Sequence, residues 1–220
     1  MLERRSKISQ MKADPEFFPS TGYLVMDFSE TELSPIKEEV EYIKNNESSA
    51  TKINQTLAGH LKKEYLLEKS RLHLQDLIMP VIDRYVETFG FPLYVNNILS
   101  SNAPYYLDTT WVNFQQKNEF NPIHDHSGIF SFVIWLKIPY GEEEREVFSD
   151  LKTQNTRNGC FEFVHSDSFG LPMVKSIFAD KSYEGKGLFF PSMIKHSVNP
   201  FYSSDDYRIS ISGNIKLRVR

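Results

Sequence analysis

A single cysteine, Cys160, occurs in 220 residues. An internal disulfide is therefore excluded, and a lone thiol suits a reducing compartment. Long apolar runs are also missing: nothing approaches the roughly 18 uncharged apolar residues that cross a bilayer. The first residues, Met1-Leu2-Glu3-Arg4-Arg5-Ser6-Lys7, are charged and no apolar segment follows them, so no signal peptide is read and the expected setting is cytoplasm. Excess positive charge is lacking too. A formal net charge of −4 gives no field to draw phosphates, which argues against a general nucleic-acid binder. Internal repeats and low-complexity tracts are absent.

What is present is an aromatic-rich chain, 40% apolar and 14% aromatic, with 17 Phe and 11 Tyr. That composition can bury a core and favours a β-rich interior. The length fits one domain spanning 1–220, with 1–98 as N-terminal arm and helical support and 99–220 as the core. Residues 1–15 read as a loosely held arm and Tyr23–Phe28 as a short strand. Ser34-Pro35 reads as a helix start, Ser as N-cap and Pro at the first helical position, with Glu38 and Glu39 in the first turn. Ile36, Val40 and Ile43 recur at helical spacing until Asn45-Asn46, and a polar loop runs on through Ser49. A second helix carries Leu74, Leu77, Ile78, Val81, Ile82, Tyr85 and Phe89 on one stripe, with a kink expected at Pro80 and a stop at Gly90. His60 and His73 read as surface or helix-packing residues.

From about residue 105 the pattern turns from helical to alternating. Trp111–Gln116, Phe130–Ile138, Cys160–His165, Gly187–Phe190 and Tyr207–Ile215 are strand-like, with Gly, Pro, Asn and Asp between them. Strands without intervening helices predict an antiparallel sandwich or barrel such as a jelly roll. The polar Gly141–Gly159 segment, with its run Glu142-Glu143-Glu144-Arg145-Glu146, reads as a solvated loop; a loop this long at a barrel mouth could also serve as a lid.

Three elements carry chemistry. In His124-Asp125-His126, residues i and i+2 of an extended chain share a face, so His124 and His126 could grip one metal ion while Asp125 points away. Seventy residues after His126, an apolar strand runs through Phe190-Pro191-Ser192 to His196 at the start of the next strand. On a jelly roll, strands that distant in sequence can be spatial neighbours, and His196 can face the pair. Last, Tyr207–Ile215 alternates, placing Arg208, Ser210, Ser212 and Asn214 on one face and Ile209, Ile211 and Ile215 on the other. An arginine fork with a hydroxyl two residues on is what a dicarboxylate site needs. Each element alone has an ordinary explanation; their order and spacing together do not.

That arrangement resembles the 2-oxoglutarate/Fe(II) dioxygenase superfamily. More narrowly, Glu119–Gly128 with Ser131-Phe132-Val133-Ile134-Trp135 resembles a prolyl-4-hydroxylase-like branch common in phage and marine microbial genomes. Phe190-Pro191-Ser192, His196-Ser197-Val198-Asn199-Pro200-Phe201 and Arg208-x-Ser210 fit the same branch, and Leu57–Tyr65 extends the likeness weakly towards the N-terminus. The likeness implies a mainly β chain with N-terminal helices around a double-stranded β-helix (jelly roll, cupin-like) core. It implies Fe(II), 2-oxoglutarate and O₂, with decarboxylation to succinate and hydroxylation of a C–H bond, prolyl by analogy. His124, His126 and His196 would be ligands, Arg208 and Ser210 would hold the co-substrate's far carboxylate, and Asn113 could hydrogen-bond co-substrate or substrate. If the gene is viral, the setting becomes the host's cytoplasm.

One departure stands out. The family carries Asp or Glu where this chain has His126. A three-histidine site ranks first, because imidazole suits Fe(II). Two other readings stay open: Asp125 as the ligand, or His126-x-Gly128 with water completing the shell. The competing functions are a three-histidine cupin-type protein that does not use 2-oxoglutarate, and a non-enzymatic β-sandwich that binds or builds. A zinc hydrolase is less favoured for want of a general base dedicated to water.

Overall fold

The computed structural model describes residues 21–54, 57, 59–90, 103–151 and 156–218. The elements run β1 (Leu24–Asp27), α1 (Glu30–Asn45), β2 (Glu64–Leu66), α2 (Arg71–Phe89), β3 (Tyr105–Gln115), β4 (Asn121–His124), β5 (Phe130–Lys137), β6 (Cys160–Ser166), β7 (Pro172–Phe178), β8 (Lys186–Pro191), β9 (Lys195–Val198) and β10 (Arg208–Leu217). The expected arm at 1–15 and the expected border at 98–99 lie outside the described residues.

Strands β1-β8-β5-β10-β3-β2 make one sheet and β4-β9-β6-β7 a second, with antiparallel pairing between neighbours. The larger sheet is covered on both faces. Ile209, Ile211 and Ile215 of β10 turn to the helices, joining Ile36, Val40, Leu74, Ile78 and Ile82 in one apolar cluster. On the opposite face Val133, Trp135, Leu188 and Phe190 meet Phe161, Phe163 and Ile177 of the smaller sheet. This is the mainly β, jelly-roll class expected. Register follows from the same alternation: a one-residue slip of β10 would exchange those isoleucines for Arg208, Ser210 and Ser212. Each buried isoleucine stabilises by roughly 1.5–3 kcal/mol, so the polar face of β10 is held against the second sheet by several such contributions.

The helices correct one expectation. α1 begins at Glu30, not at Ser34-Pro35, and Pro35 lies inside it. Ser29 is the N-cap and forms a reciprocal capping box: Glu32 N–H donates to Ser29 Oγ (3.3 Å), and Ser29 N–H to Glu32 Oε2 (2.8 Å). Two orphan donors satisfied at once outweigh the signal of Ser-Pro, and Pro35, in the second turn, costs the helix the one ladder bond that an N–H there would have made to Thr31 O. Glu39 is consequently no first-turn residue. It is buried and accepts from Glu68 N–H (2.9 Å), Lys69 N–H (2.8 Å), Ser70 N–H (2.7 Å) and Ser70 Oγ (2.6 Å) at the start of α2. Burial pushes this carboxyl up, but those donors outweigh it and leave it below the usual range. α2 ends where expected, on Gly90 with φ +77°. The stretch through Ser49 contains a short 3₁₀ turn, Glu47–Ser49.

The acidic run is not simply solvated. It forms a 3₁₀ turn, Glu142–Glu146, in which Glu144 is fully buried and accepts from Tyr202 N–H, Ser203 N–H (2.9 Å each) and Ser203 Oγ (2.5 Å). Glu142 and Glu143 stay exposed, as read from sequence. No helix among the described residues is long and apolar enough to cross a membrane.

Candidate active site

His124 ends β4 directly opposite His196 on β9. Two residues on, His126 is pinned where its N–H donates to Ser192 O (2.9 Å). Ser192 is itself buried, its hydroxyl 2.9 Å from Ser131 Oγ, which donates to Asn214 Oδ1 (2.8 Å). The Phe190-Pro191-Ser192 turn thus ties the histidine segment to β5 and β10. Ring centroids lie 5.0 Å apart for His124 and His126, 4.3 Å for His124 and His196, and 4.9 Å for His126 and His196. One ring nitrogen from each falls within 4.8 Å of the others. Asp125 is exposed and pairs with Lys195. A Cβ built on Gly128 (φ +128°) would meet Ile215 O at 2.7 Å, so the turn after His126 admits only glycine comfortably.

The donor set fits a divalent metal ion. His124 Nδ1 donates to Pro122 O (2.7 Å) and His196 Nδ1 to Ile194 O (3.0 Å), because a carbonyl can only accept. Both rings are therefore fixed with a lone pair on Nε2, the usual role of a backbone partner behind a ligand histidine. His126 Nε2 sits 3.2 Å from His196 Nε2. Two imidazoles at right angles on one ion, with metal–nitrogen distances near 2.1 Å, would place their nitrogens about 3 Å apart. Burial, reinforced by His124, pushes His126 down to about 4 and His196 down to about 3. His124 is lowered as well, chiefly by burial and against its bond to Pro122. All three present neutral rings near pH 7, with no proton for an incoming cation to displace.

The histidines line a cavity of about 40 Å³ together with Arg208 and Ser210. Arg208 is 2% exposed. Its Nε and Nη2 donate to Gln115 Oε1 (3.0 and 2.6 Å), Nη1 to Tyr140 Oη (2.6 Å) and Gly159 O (3.0 Å), and Nη2 to Asn199 O (3.1 Å). Every acceptor is neutral, so a buried guanidinium stands without a carboxylate among its hydrogen-bond partners. Such a charge is costly to bury alone, and the cavity beside it suits an anion. Asn113 is a hub: its Nδ2 donates to Ser210 Oγ and Ser212 Oγ (3.3 Å each), and its Oδ1 accepts from Trp111 Nε1 (3.1 Å). Trp111, Trp135, Phe161 and Phe190 supply apolar walls.

All six residues singled out from the sequence line this cavity. Gln115, Ser212 and the Tyr140–Gly159–Asn199 cradle around Arg208 were not singled out. Gln115 shares the β3 face of Asn113 and could have been found by alternation; the cradle comes from loops, which carry no periodic signal. Gly159 (φ +67°) reaches Arg208 because a Cβ there would strike the Tyr140 ring at 2.9 Å. Glu64 on β2 was also missed. Burial, with the Glu119 carboxylate near it, pushes its carboxyl up to about 7. His60 stacks on Phe120 and His73 meets Glu32 O (2.7 Å), and neither lines the cavity.

Two β-sheets thus enclose a histidine cluster and a buried arginine in one cavity of a jelly roll. Residues 109–214 match the sequence model of the 2OG-Fe(II) oxygenases. The match spans just under half of the chain, which over those residues is similar to this family. Curated proteins give no sequence match. Among solved structures, the chain is similar to a Pseudomonas putida prolyl-4-hydroxylase (TM-score 0.53, 13% identity, covering 90% of this chain and 94% of that one). It is similar also to a Trichoplax adhaerens prolyl hydroxylase in complex with a hypoxia inducible factor peptide fragment (0.55, 10%, 89% and 83%). A third is the α-ketoglutarate-dependent epimerase SnoN from nogalamycin biosynthesis (0.53, 14%, 89% and 77%). At these identities the likeness is one of fold.

Proposed function

We propose that His124, His126 and His196 hold Fe(II) as three neutral imidazoles, that Arg208 with Ser210 holds the far carboxylate of 2-oxoglutarate, and that the product is a hydroxylated C–H bond. The observation that carries this reading is one cavity lined both by three converging imidazoles and by a guanidinium with no carboxylate among its hydrogen-bond partners. Bound iron in this class supplies the oxygen activation that couples 2-oxoglutarate and O₂ to succinate, CO₂ and a hydroxylated substrate.

The chain's own contribution is positional. Pro122 O and Ile194 O aim two of the imidazoles, so little ordering cost remains when a ligand set must close. Arg208 offers a charge-assisted contact worth roughly 1.5–3 kcal/mol to a carboxylate. Asn113 keeps the Ser210 and Ser212 hydroxyls turned into the cavity, and the aromatic walls exclude water from it. Neutral ligands leave the full charge of a dication in place, a second attraction for a dianionic co-substrate. The whole chain acts as one unit in this reading, with residues 1–98 supporting the 99–220 core. For the substrate we propose a prolyl residue, supported by the two prolyl hydroxylases that share the fold, while SnoN shows that the fold also serves other reactions.

The test is anaerobic titration with Fe(II) and then 2-oxoglutarate, followed by visible spectroscopy. A weak charge-transfer band that appears only with both, and succinate on admission of air, is the expected result. Metal binding without any response to 2-oxoglutarate would favour the cupin-type alternative. Proline-containing peptides gaining one oxygen by mass spectrometry would establish the substrate class.

A further inference from the structure

We propose that Gln115 occupies the carboxylate seat on Arg208, so that 2-oxoglutarate binds by displacing the Gln115 amide. This rests on the reading that Arg208 receives the co-substrate.

A guanidinium has five N–H donors. In Arg208 all five are engaged: Nε and one N–H of Nη2 by Gln115, both of Nη1 by Tyr140 and Gly159, and the remaining one of Nη2 by Asn199. No donor is left for an incoming carboxylate, so one acceptor must leave. Gly159 O and Asn199 O are backbone, and Gly159 is wedged against the Tyr140 ring. Tyr140 is fully buried and packs on Phe201 at 5.0 Å. Gln115 alone is a flexible side chain that lies in the cavity wall.

Its position is also the right one. Gln115 Oε1 takes Nε and Nη2 together, the side-on edge that one carboxylate would grip with two oxygens. The amide offers a single neutral oxygen, so an anion brought to the same edge gains both a second contact and a charge. Room points the same way. The cavity of about 40 Å³ holds roughly three water positions at 10–15 Å³ each, far less than a keto-dicarboxylate needs. Swinging Gln115 away frees both the donors and the space. Its NH₂ restrains the swing by donating to Glu119 O at 2.5 Å, which gives the seat a defined closed state.

The inference is tested on the full chain by measuring 2-oxoglutarate affinity anaerobically with Fe(II) bound, in the parent, Gln115→Ala and Gln115→Glu. Gln115→Ala removes the occupant and should tighten 2-oxoglutarate by roughly fivefold to tenfold, with Fe(II) affinity unchanged. Gln115→Glu puts a carboxylate on the seat and should weaken 2-oxoglutarate at least about tenfold, again with Fe(II) retained. If Gln115→Ala weakens 2-oxoglutarate or leaves it unchanged while the parent binds, Gln115 merely orients Arg208 and the proposal fails on its own. A parent that binds Fe(II) but no 2-oxoglutarate overturns the functional reading and this proposal together.

Discussion

The histidine and arginine clusters that line the cavity are built on opposite plans. Among the histidines, backbone carbonyls aim the His124 and His196 rings, and a ring nitrogen from each of the three lies within 4.8 Å of the others. In the arginine cluster, every donor is already satisfied by a neutral acceptor. The first cluster is preorganised for a ligand; the second is preoccupied. The sheets explain the difference. His124 ends β4 and His196 lies on β9 of the smaller sheet, with His126 just past the end of β4, an edge strand. Arg208 starts β10, flanked by β5 and β3 inside the larger sheet, where a polar group without partners would cost too much. In the proposed reading a metal ion docks without rearrangement, whereas the co-substrate exchanges with a side chain.

The sharpest way to break this contrast is to remove a group from each cluster. His196→Ala should abolish useful Fe(II) binding, by more than the hundredfold or so that loss of an outer hydrogen-bond partner costs, and leave the fold intact by circular dichroism. Iron affinity equal to the parent's would remove His196 from the ligand set. In the other cluster, Arg208→Ala should spare Fe(II) and weaken 2-oxoglutarate at least about tenfold. It should also lower thermal stability, since Gln115, Tyr140, Gly159 and Asn199 lose their donor. Arg208→Lys should rescue the co-substrate only in part, a point charge replacing a fork. An unchanged affinity in Arg208→Ala would place the co-substrate elsewhere.

A smaller effect sits beside the cavity. Glu64, raised from about 4.5 to about 7, binds its proton more tightly folded than unfolded. Stability from this group is present below about pH 4.5, declines through the interval to about 7, and stays flat above it, with a span on the order of 3 kcal/mol. Glu64→Gln should flatten that part of the pH–stability curve and raise stability at pH 8. A curve with the same slope in parent and variant would assign the slope to another group.

Much of this was legible in the sequence because alternation and spacing are physical constraints. The β10 pattern assigned Arg208 and Ser210 to one face and three isoleucines to the other, and an extended His-x-His put two rings together with Asp125 turned away. Where a strand lies at an edge the signal fades. β4 contains Pro122, which an edge strand tolerates, and the edge strand β7 is exposed along most of its length, so neither alternates. β3 was read from Trp111 although it begins at Tyr105. The start of α1 was misplaced because Ser34-Pro35 is a good local signal, while the capping box at Ser29 and Glu32 is a better one. Glu144 and the Arg208 cradle depend on contacts between distant loops, and no local pattern encodes those.

The central claim is the three-histidine set, and it is tested most directly by anaerobic Fe(II) titration of His126→Ala beside Asp125→Ala. With both His124 and His126 turned to His196 and Asp125 paired to Lys195, His126→Ala should lose most of its iron affinity, while Asp125→Ala should bind nearly as the parent does. Full retention of iron in His126→Ala, with loss in Asp125→Ala, would contradict the account and return a carboxylate to the metal.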